Sequence, residues 1–486
     1  MSEPKRLHPI AMLLNVIKAI KDMLVPIIIV VVFGGNKDGL AGTIQLAILG
    51  SICLFVIVTA IIEWFRFTYR IEDGELRIES GVFVRKKRYI RFERIHSIDV
   101  SEGIIQRLCG LVKISIETAG GAQAEAVLSA IRKEEAERLN ERLAEAKRNK
   151  VLGEQPEIDL VTEPVIKQES AVTFRLQFPE LFLMAATSGA VGVVLSGVAA
   201  FVSQFDEMIP FERFVGEYED VLALGTFLLT VFAFVAVLIV YMLATIGMML
   251  KYARFTVEKN EDELIISRGL LEKRQLTIPL KKVQGIRIIE NVVRQPFGYA
   301  TVYLEYAGGS EADKDSLKVM LFPLVKKKHL QKYLEQCLPD YVADVEVKPL
   351  PARALPRYMF RRVIFFIPVI IVFIYFFRPW GYVSLVLLPI SIGWAFLQYK
   401  AAGWNITNHQ LLMRSRGLSK QTILFHKSKI QSIESKTSWA QKRKQLSSIS
   451  ALIKSGIAFR EGEVRDVEAK DFDAVQTWFL KNGRTK

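Results

Sequence analysis

Cysteine and histidine are scarce in this 486-residue chain. There are three cysteines, Cys53, Cys109 and Cys337, and five histidines, His8, His96, His329, His409 and His426. No two cysteines lie at metal-ligand or CxxC spacing, and the histidines are scattered, so neither a disulfide framework nor a zinc site is implied. Also missing are a GxxxxGK[ST] phosphate loop, a GxSxG nucleophile elbow and an HExxH pair. These absences argue against catalysis and against a bound cofactor or metal. Ionisable residues are missing from the clearer apolar runs too, which argues against ion-coupled transport.

Apolar residues are abundant, at 51% with 24% charged residues, and the mean hydropathy is +0.24. That balance does not suit an ordinary soluble protein unless the two classes are segregated. They are: long charge-poor runs alternate with segments that hold most of the lysine and arginine. The net charge of +14 therefore points to soluble parts on the inner side of a membrane rather than to nucleic acid.

One stretch recurs. Arg66 to Gly121 returns without a gap as Arg254 to Gly309, with heads RFTYRIEDGELRIESG and RFTVEKNEDELIISRG. A third copy begins GWNITNHQLLMRSRG at Gly403. All three carry a block of a basic residue, a β-branched residue, His or Gln, a small residue and Ile: Arg94 to Ile98, Lys282 to Ile286 and Lys429 to Ile433. Such internal repetition defines a module and fixes the architecture.

Each module follows an apolar segment long enough for a helical hairpin. Expected hairpins cover 1–63, 179–250 and 361–400; expected modules cover 64–150, 251–338 and 401–486; polar, proline-bearing linkers are expected over 151–178 and 339–360. Met23 to Phe33 and Ile44 to Ile62 form the first hairpin. Gly34-Gly35-Asn36 after the first run favours a span over a cleaved signal. Leu181 to Val202 and Val221 to Leu250 form the second hairpin, around an acidic loop. Val363 to Phe377 and Tyr382 to Phe396 form the third, whose short first run requires either that Arg361 and Arg362 lie in the interface or that the bilayer thins locally. Six spans put the N-terminus, the C-terminus and all three modules on the basic, cytoplasmic side.

Within module one, alternating runs predict strands at Phe67 to Ile71, Glu75 to Glu79, Val82 to Phe92, Ile95 to Val100, Val112 to Thr118 and Ala122 to Leu128. A helix capped by Ser129 is expected to follow, through about Arg148. Asp73-Gly74 and Gly120-Gly121 are hairpin signals, and Gly81, Gly269 and Gly417 are expected structural turns of positive φ. Gly110 and Gly298 look like backbone requirements as well; Gln445 stands at that place in module three, predicting a local departure there. This is the order of a small β-barrel or sandwich closed by a helix.

The basic run Arg85, Lys86, Lys87, Arg88, Arg91 and Arg94 is a candidate contact for anionic lipid headgroups. A solvated outer strand explains it more simply, because module two keeps only Lys273 and Arg274. The Ile95, Val283 and Ile430 blocks are likewise simpler as strand starts than as ligand sites.

On these glycine turns, these blocks and Arg107-x-x-Gly110, altered to Gln295-x-x-Gly298 in module two, the modules resemble the second family of bacterial pleckstrin-homology-like domains. The resemblance implies membrane α-helices plus β, with three transmembrane hairpins each followed by a pleckstrin-like barrel or sandwich capped by a C-terminal helix. Fold is not function; the leading functional expectation is a non-enzymatic protein of the cytoplasmic membrane whose modules form an interaction platform, with a role in envelope maintenance or resistance to membrane-active peptides. A transporter component and an anionic-lipid sensor are the alternatives. Membrane lipids, and a smaller membrane protein carrying one such module, are the expected partners.

Overall fold

The computed structural model describes residues 4–33, 40–139, 171–188, 219–306 and 319–481, apart from positions 73, 83, 93–94, 119–125, 261, 408 and 456–457. The chain divides into two compact units, one of Met1–Glu169 with Leu271–Pro279 and Gly308–Asp313, the other holding the remainder.

Among the described residues each repeat contributes seven strands. The first has β1 (Lys5–Arg6), β2 (Thr68–Glu72), β3 (Glu75–Ser80), β4 (Lys86–Arg91), β5 (Ile95–Glu102), β6 (Leu111–Thr118) and β7 (Ala126–Arg132). The second has β8 (Ala171–Arg175), β9 (Thr256–Lys259), β10 (Glu263–Arg268), β11 (Lys273–Pro279), β12 (Val283–Glu290), β13 (Tyr299–Tyr306) and β14 (Val319–Lys326). The third has β15 (Lys348–Pro349), β16 (Gly403–Ile406), β17 (Gln410–Arg416), β18 (Lys420–His426), β19 (Ile430–Lys436), β20 (Leu446–Ser455) and β21 (Ala458–Glu468). A strand in one repeat and the strand seven numbers later are therefore counterparts.

Helices α1 (Ile10–Phe33), α2 (Leu40–Arg66), α3 (Ile104–Leu108) and α4 (133–139) belong to the first repeat. The second has α5 (Phe178–Ala186), α6 (Glu219–Tyr252) and α7 (Lys327–Cys337). The third has α8 (Leu355–Phe376), α9 (Leu387–Ala401), α10 (Trp439–Lys442) and α11 (Ala469–Leu480). Four stretches among the described residues are long and apolar enough to cross a membrane: Ala47–Arg66, Phe234–Tyr252, Ala352–Phe376 and Trp380–Ala401. Their side chains are exposed to whatever surrounds them, as at Phe55, Phe234, Leu243, Phe365 and Tyr375. In water such surfaces would be costly at about 25 cal/mol per Å²; in lipid they are at rest. The expected run Leu181 to Val202 and its acidic loop fall mostly outside the described residues.

The first expected span of the third hairpin is longer than its apolar core. Helix α8 starts at Leu355, and its basic first half is held by the module: Arg357 Nε lies 2.7 Å and Arg361 Nη2 2.5 Å from the Asp466 carboxylate, while Arg362 Nε donates to Gln398 Oε1 at 2.8 Å. The arginines thus sit where α8 joins the third module. Counterpart anchors close the other repeats. A strand ahead of the apolar helical segment pairs with the first strand after it in all three: β1 with β2, β8 with β9, and β15 with β16. The segments expected as linkers therefore supply β8, near the end of the first, and β15, in the middle of the second.

Strand alternation sets the core. Leu76 and Ile78 on β3 and Ile90 on β4 are buried together with Ile114 and Ile116 on β6 and Leu128 on β7. In the third module Leu411, Met413, Ile423 and Phe425 meet Ile449, Ala451, Ile453 and Val464. The modules are paired sheets, and no closed barrel forms among the described residues. The reason is visible in the pairing: the outer edge of β5 is hydrogen-bonded to β11, and that of β12 to β18, so neither returns to its own fourth strand.

Three local expectations change. Ser129 is inside β7, its carbonyl accepting from Gln106 Nε2, and α4 begins at Lys133. Gly81 and Gly269 have φ of +119° and +102°, but Gly417 lies outside the left-handed region and has open space at its Cβ position. Its carbonyl instead accepts from Trp394 Nε1 and Gln398 Nε2, both at 3.1 Å, which ties the turn to α9. Gln445 does not mark a departure: with φ of +55° it adopts the same conformation as Gly110 at +65° and Gly298 at +71°. The backbone requirement is retained and the side chain tolerates it.

Candidate protein interface at strand junctions and open edges

The recurrent block around Ile95, Val283 and Ile430 starts β5, β12 and β19. Each strand has a register shift at the same point, between Ile95 and Ser97, Val283 and Gly285, and Ile430 and Ser432. The polar His or Gln of the block is thus the extra residue of a β-bulge, a device that bends a strand and turns its edge. A 3-10 turn precedes β12 at Leu280–Lys282 and β19 at Lys427–Lys429.

Beyond the bulge the fifth strand of one repeat takes up the fourth strand of the next. In the first junction Lys273 is opposite Glu102, Arg274 opposite Ser101 and Leu276 opposite Asp99. Arg274 Nε lies 2.9 Å from Asp99 Oδ2 and 3.2 Å from Oδ1, and Nη2 also donates to Oδ2. The carboxylate side chain is 8% exposed and the guanidinium 15%, so this is a bidentate pair largely removed from water. In the second junction Glu290 is opposite Lys420, at 3.2 Å, and it also binds Lys327. Burial depresses the Lys420 ammonium below its ordinary pKa, and Glu290 opposes that shift.

Two edges of the same kinds remain unpaired among the described residues. Strand β4 ends its sheet, and β19 ends another. Exposure follows. Only Ile90 is buried on β4, whereas Leu276 and Ile278 are buried on β11 and Thr422 to Phe425 on β18. On β19, Glu434, Ser435 and Lys436 are exposed; the strand's counterpart β12 is buried at Val283 to Ile286.

The basic run coincides with this open β4 edge. Arg85 and Lys87 pair with Glu79, and Arg91 lies 3.3 Å from Glu75. Arg77 stacks its guanidinium 5.6 Å from the Tyr89 ring centre. Lys86 and Arg88 are exposed on the same strand, and Arg94 falls outside the described residues. Hydrogen bonding from Arg85 pulls the Glu79 carboxyl below its usual range. Sequence inspection found the charges but not the edge, because alternation says which residues share a face and nothing about which strand comes next.

Lipid-exposed helices alternating with repeated two-sheet modules define a membrane protein with transmembrane helices and a triplicated β module. The chain belongs to the Bacterial PH domain family, whose profile matches residues 20–147, 219–340 and 362–483. It is similar along its length to the UPF0699 transmembrane protein YdbT of Bacillus subtilis (strain 168), with 40% identity over 490 residues that cover 99% of this chain and 98% of the relative.

Proposed function

We propose that the chain is a non-enzymatic protein of the bacterial cytoplasmic membrane whose three modules form an interaction platform on the inner face, serving envelope maintenance. The partner is a smaller membrane protein carrying one module of the same kind. The supporting observation is the use of one docking mode twice within the chain, β5 with β11 and β12 with β18. Edge-strand addition provides backbone hydrogen bonds as affinity and side chains as selectivity. The basic β4 edge suits a fifth strand bearing carboxylates at the places of Asp99 and Glu102. Tethering to one membrane face raises effective concentration, so weak strand contacts become populated. An anionic-lipid role for the same run is less well supported, because Arg85, Lys87 and Arg91 already have carboxylate partners.

Co-purification in mild detergent tests the reading. The wild-type chain should bring down a related one-module membrane protein. Charge reversal by K86E and R88E should lose it, while removal of 401–486, which leaves β4 in place, should not. A partner indifferent to β4, or none, would sink the proposal. Orientation has its own test: a thiol at Glu212 should react with an impermeant reagent in intact cells and one at Glu145 should not.

A further inference from the structure

Four residues before Gly110, Gly298 and Gln445 stand Gln106, Arg294 and Gln441, and all three are buried. In the outer modules a neutral amide fills this place. Gln106 Oε1 accepts from the Gly103 amide at 2.9 Å and its Nε2 donates to the Ser129 carbonyl. Gln441 accepts from the Ser438 amide at 2.9 Å and donates to Ser448 Oγ at 2.9 Å and to Asp466 at 3.0 Å.

Module two places a full positive charge there. Arg294 is 8% exposed. Its Nε donates to Thr187 Oγ1 at 2.7 Å, Nη1 to Thr301 Oγ1 at 2.7 Å and Nη2 to the Met184 carbonyl at 2.9 Å. All three acceptors are neutral, and no carboxylate pairs with Arg294 among the described residues. Three of the five N–H donors of a guanidinium are thereby used. Met184 and Thr187 lie at the end of α5, whose dipole supplies about half a negative charge at most. Module three shows the contrast, since there Asp466 faces Arg357 and Arg361.

Arg294 lines a cavity of about 220 Å³, together with Ser188, Asn291, Tyr252, Tyr303 and Ser419. One water occupies roughly 30 Å³ in the liquid, so the space exceeds what a single water fills. Ser188 Oγ is buried with no hydrogen-bond partner. Burial raises the Tyr303 hydroxyl above its ordinary pKa, with Tyr252 adding to the shift, so Tyr303 stays a donor at neutral pH. The same burial lowers the Arg294 pKa, which marks the cost of an uncompensated charge; an anion beside it would offset that cost. We propose that this cavity, where α5 and α6 meet module two, binds a phosphate-type oxyanion, with Arg294 as its charge partner and Ser188 and Tyr303 as hydrogen-bond donors.

Such a group has two sources, free phosphate or the headgroup of an anionic lipid, and one variant serves both tests. R294Q installs the residue that modules one and three carry. Thermal unfolding of the full chain in neutral detergent is followed while inorganic phosphate is titrated against chloride of equal ionic strength. It is then repeated in nanodiscs of phosphatidylglycerol and of phosphatidylcholine. A saturable rise of several degrees with phosphate, absent in R294Q, assigns a free oxyanion. No response to phosphate, with phosphatidylglycerol stabilising the wild type but not R294Q, assigns a headgroup. General salting effects act on both chains alike, so equal responses of wild type and R294Q would overturn the proposal. Native mass spectrometry of the wild type needs no variant: retained phosphate or phosphatidylglycerol supports the site, and retention of neither overturns it.

Discussion

The β5–β11 and β12–β18 junctions share a backbone register and differ in chemistry. Both set a lysine opposite a glutamate at one end, Lys273 with Glu102 and Lys420 with Glu290. Past that point they diverge. The first inserts the Asp99–Arg274 pair; the second has Arg287 at the place of Asp99, turned to Glu305 on its own neighbouring strand. Where Arg274 would come, the second has Gln421, and Ile286 and Leu424 face one another, both fully buried. One docking mode is thus held by the buried Asp99–Arg274 pair in one place, and in the other by the buried Glu290–Lys420 pair at one end with apolar packing beyond it. Backbone pairing is the shared requirement, and the side chains supply separate ways of securing it.

Removing the ion pair should have the largest effect. D99A removes the Asp99 carboxylate from the largely buried Arg274, and breaking a buried pair costs up to about 3–5 kcal/mol. Hydrogen exchange should show lost protection across Lys273–Pro279 and unchanged protection across Lys420–His426. Equal loss at both strands, or at neither, would break the contrast between the junctions.

Packing at the second junction should respond next. A Cβ added at Gly285 would lie 2.8 Å from the Leu424 carbonyl oxygen across the strand pair, so G285A should destabilise by about 1–3 kcal/mol. Ser97 holds the corresponding place in the first junction, so the bulk of a Cβ is excluded at the second junction alone. A stable G285A chain would show that β12 and β18 are not held as closely as described.

The smallest effect concerns acid. His426 ends β18, where β11 ends in Pro279. Burial holds its pKa below the ordinary value, with His409 and Lys429 adding to the shift and Asp340 opposing it. The unfolded chain therefore binds this proton first, so stability is lost as pH falls through about 6.5 and levels off below the folded-state value. Exchange protection of β18, corrected for the intrinsic pH dependence of exchange, should weaken slightly between pH 7.5 and 5.5, and less so in H426N. The first junction should show no such fall.

Much of this was legible in the residues. The repeat, the apolar runs and most strand positions follow from alternation and from glycines such as Gly81 and Gly269, because a positive φ selects against a side chain. Gly417 and Gln445 show the limit of that rule, one a glycine kept without the conformation and the other the conformation kept without glycine. Strands β1 and β15 were missed because two residues carry no period. A helix capped at Ser129 starts too early because Ser129 is a good cap in isolation, while the alternation Leu128, Ala130 continues the strand. The junctions could not be read, since strand partners are chosen in three dimensions. The Arg294 site could have been found by comparing the copies position by position, where Gln, Arg and Gln stand in register.

Strand exchange between repeats also has a consequence for valence. Each exchange uses one edge of the earlier copy and one of the later, so adding or removing an internal copy changes the length of the string and leaves its two outer edges of the same kind. A unit of one repeat would carry the same pair of ends as this unit of three. Duplication could therefore extend such a chain without inventing a new contact, and what separates a correct neighbour from a wrong one would rest on a few side chains, as it does where Asp99 meets Arg274.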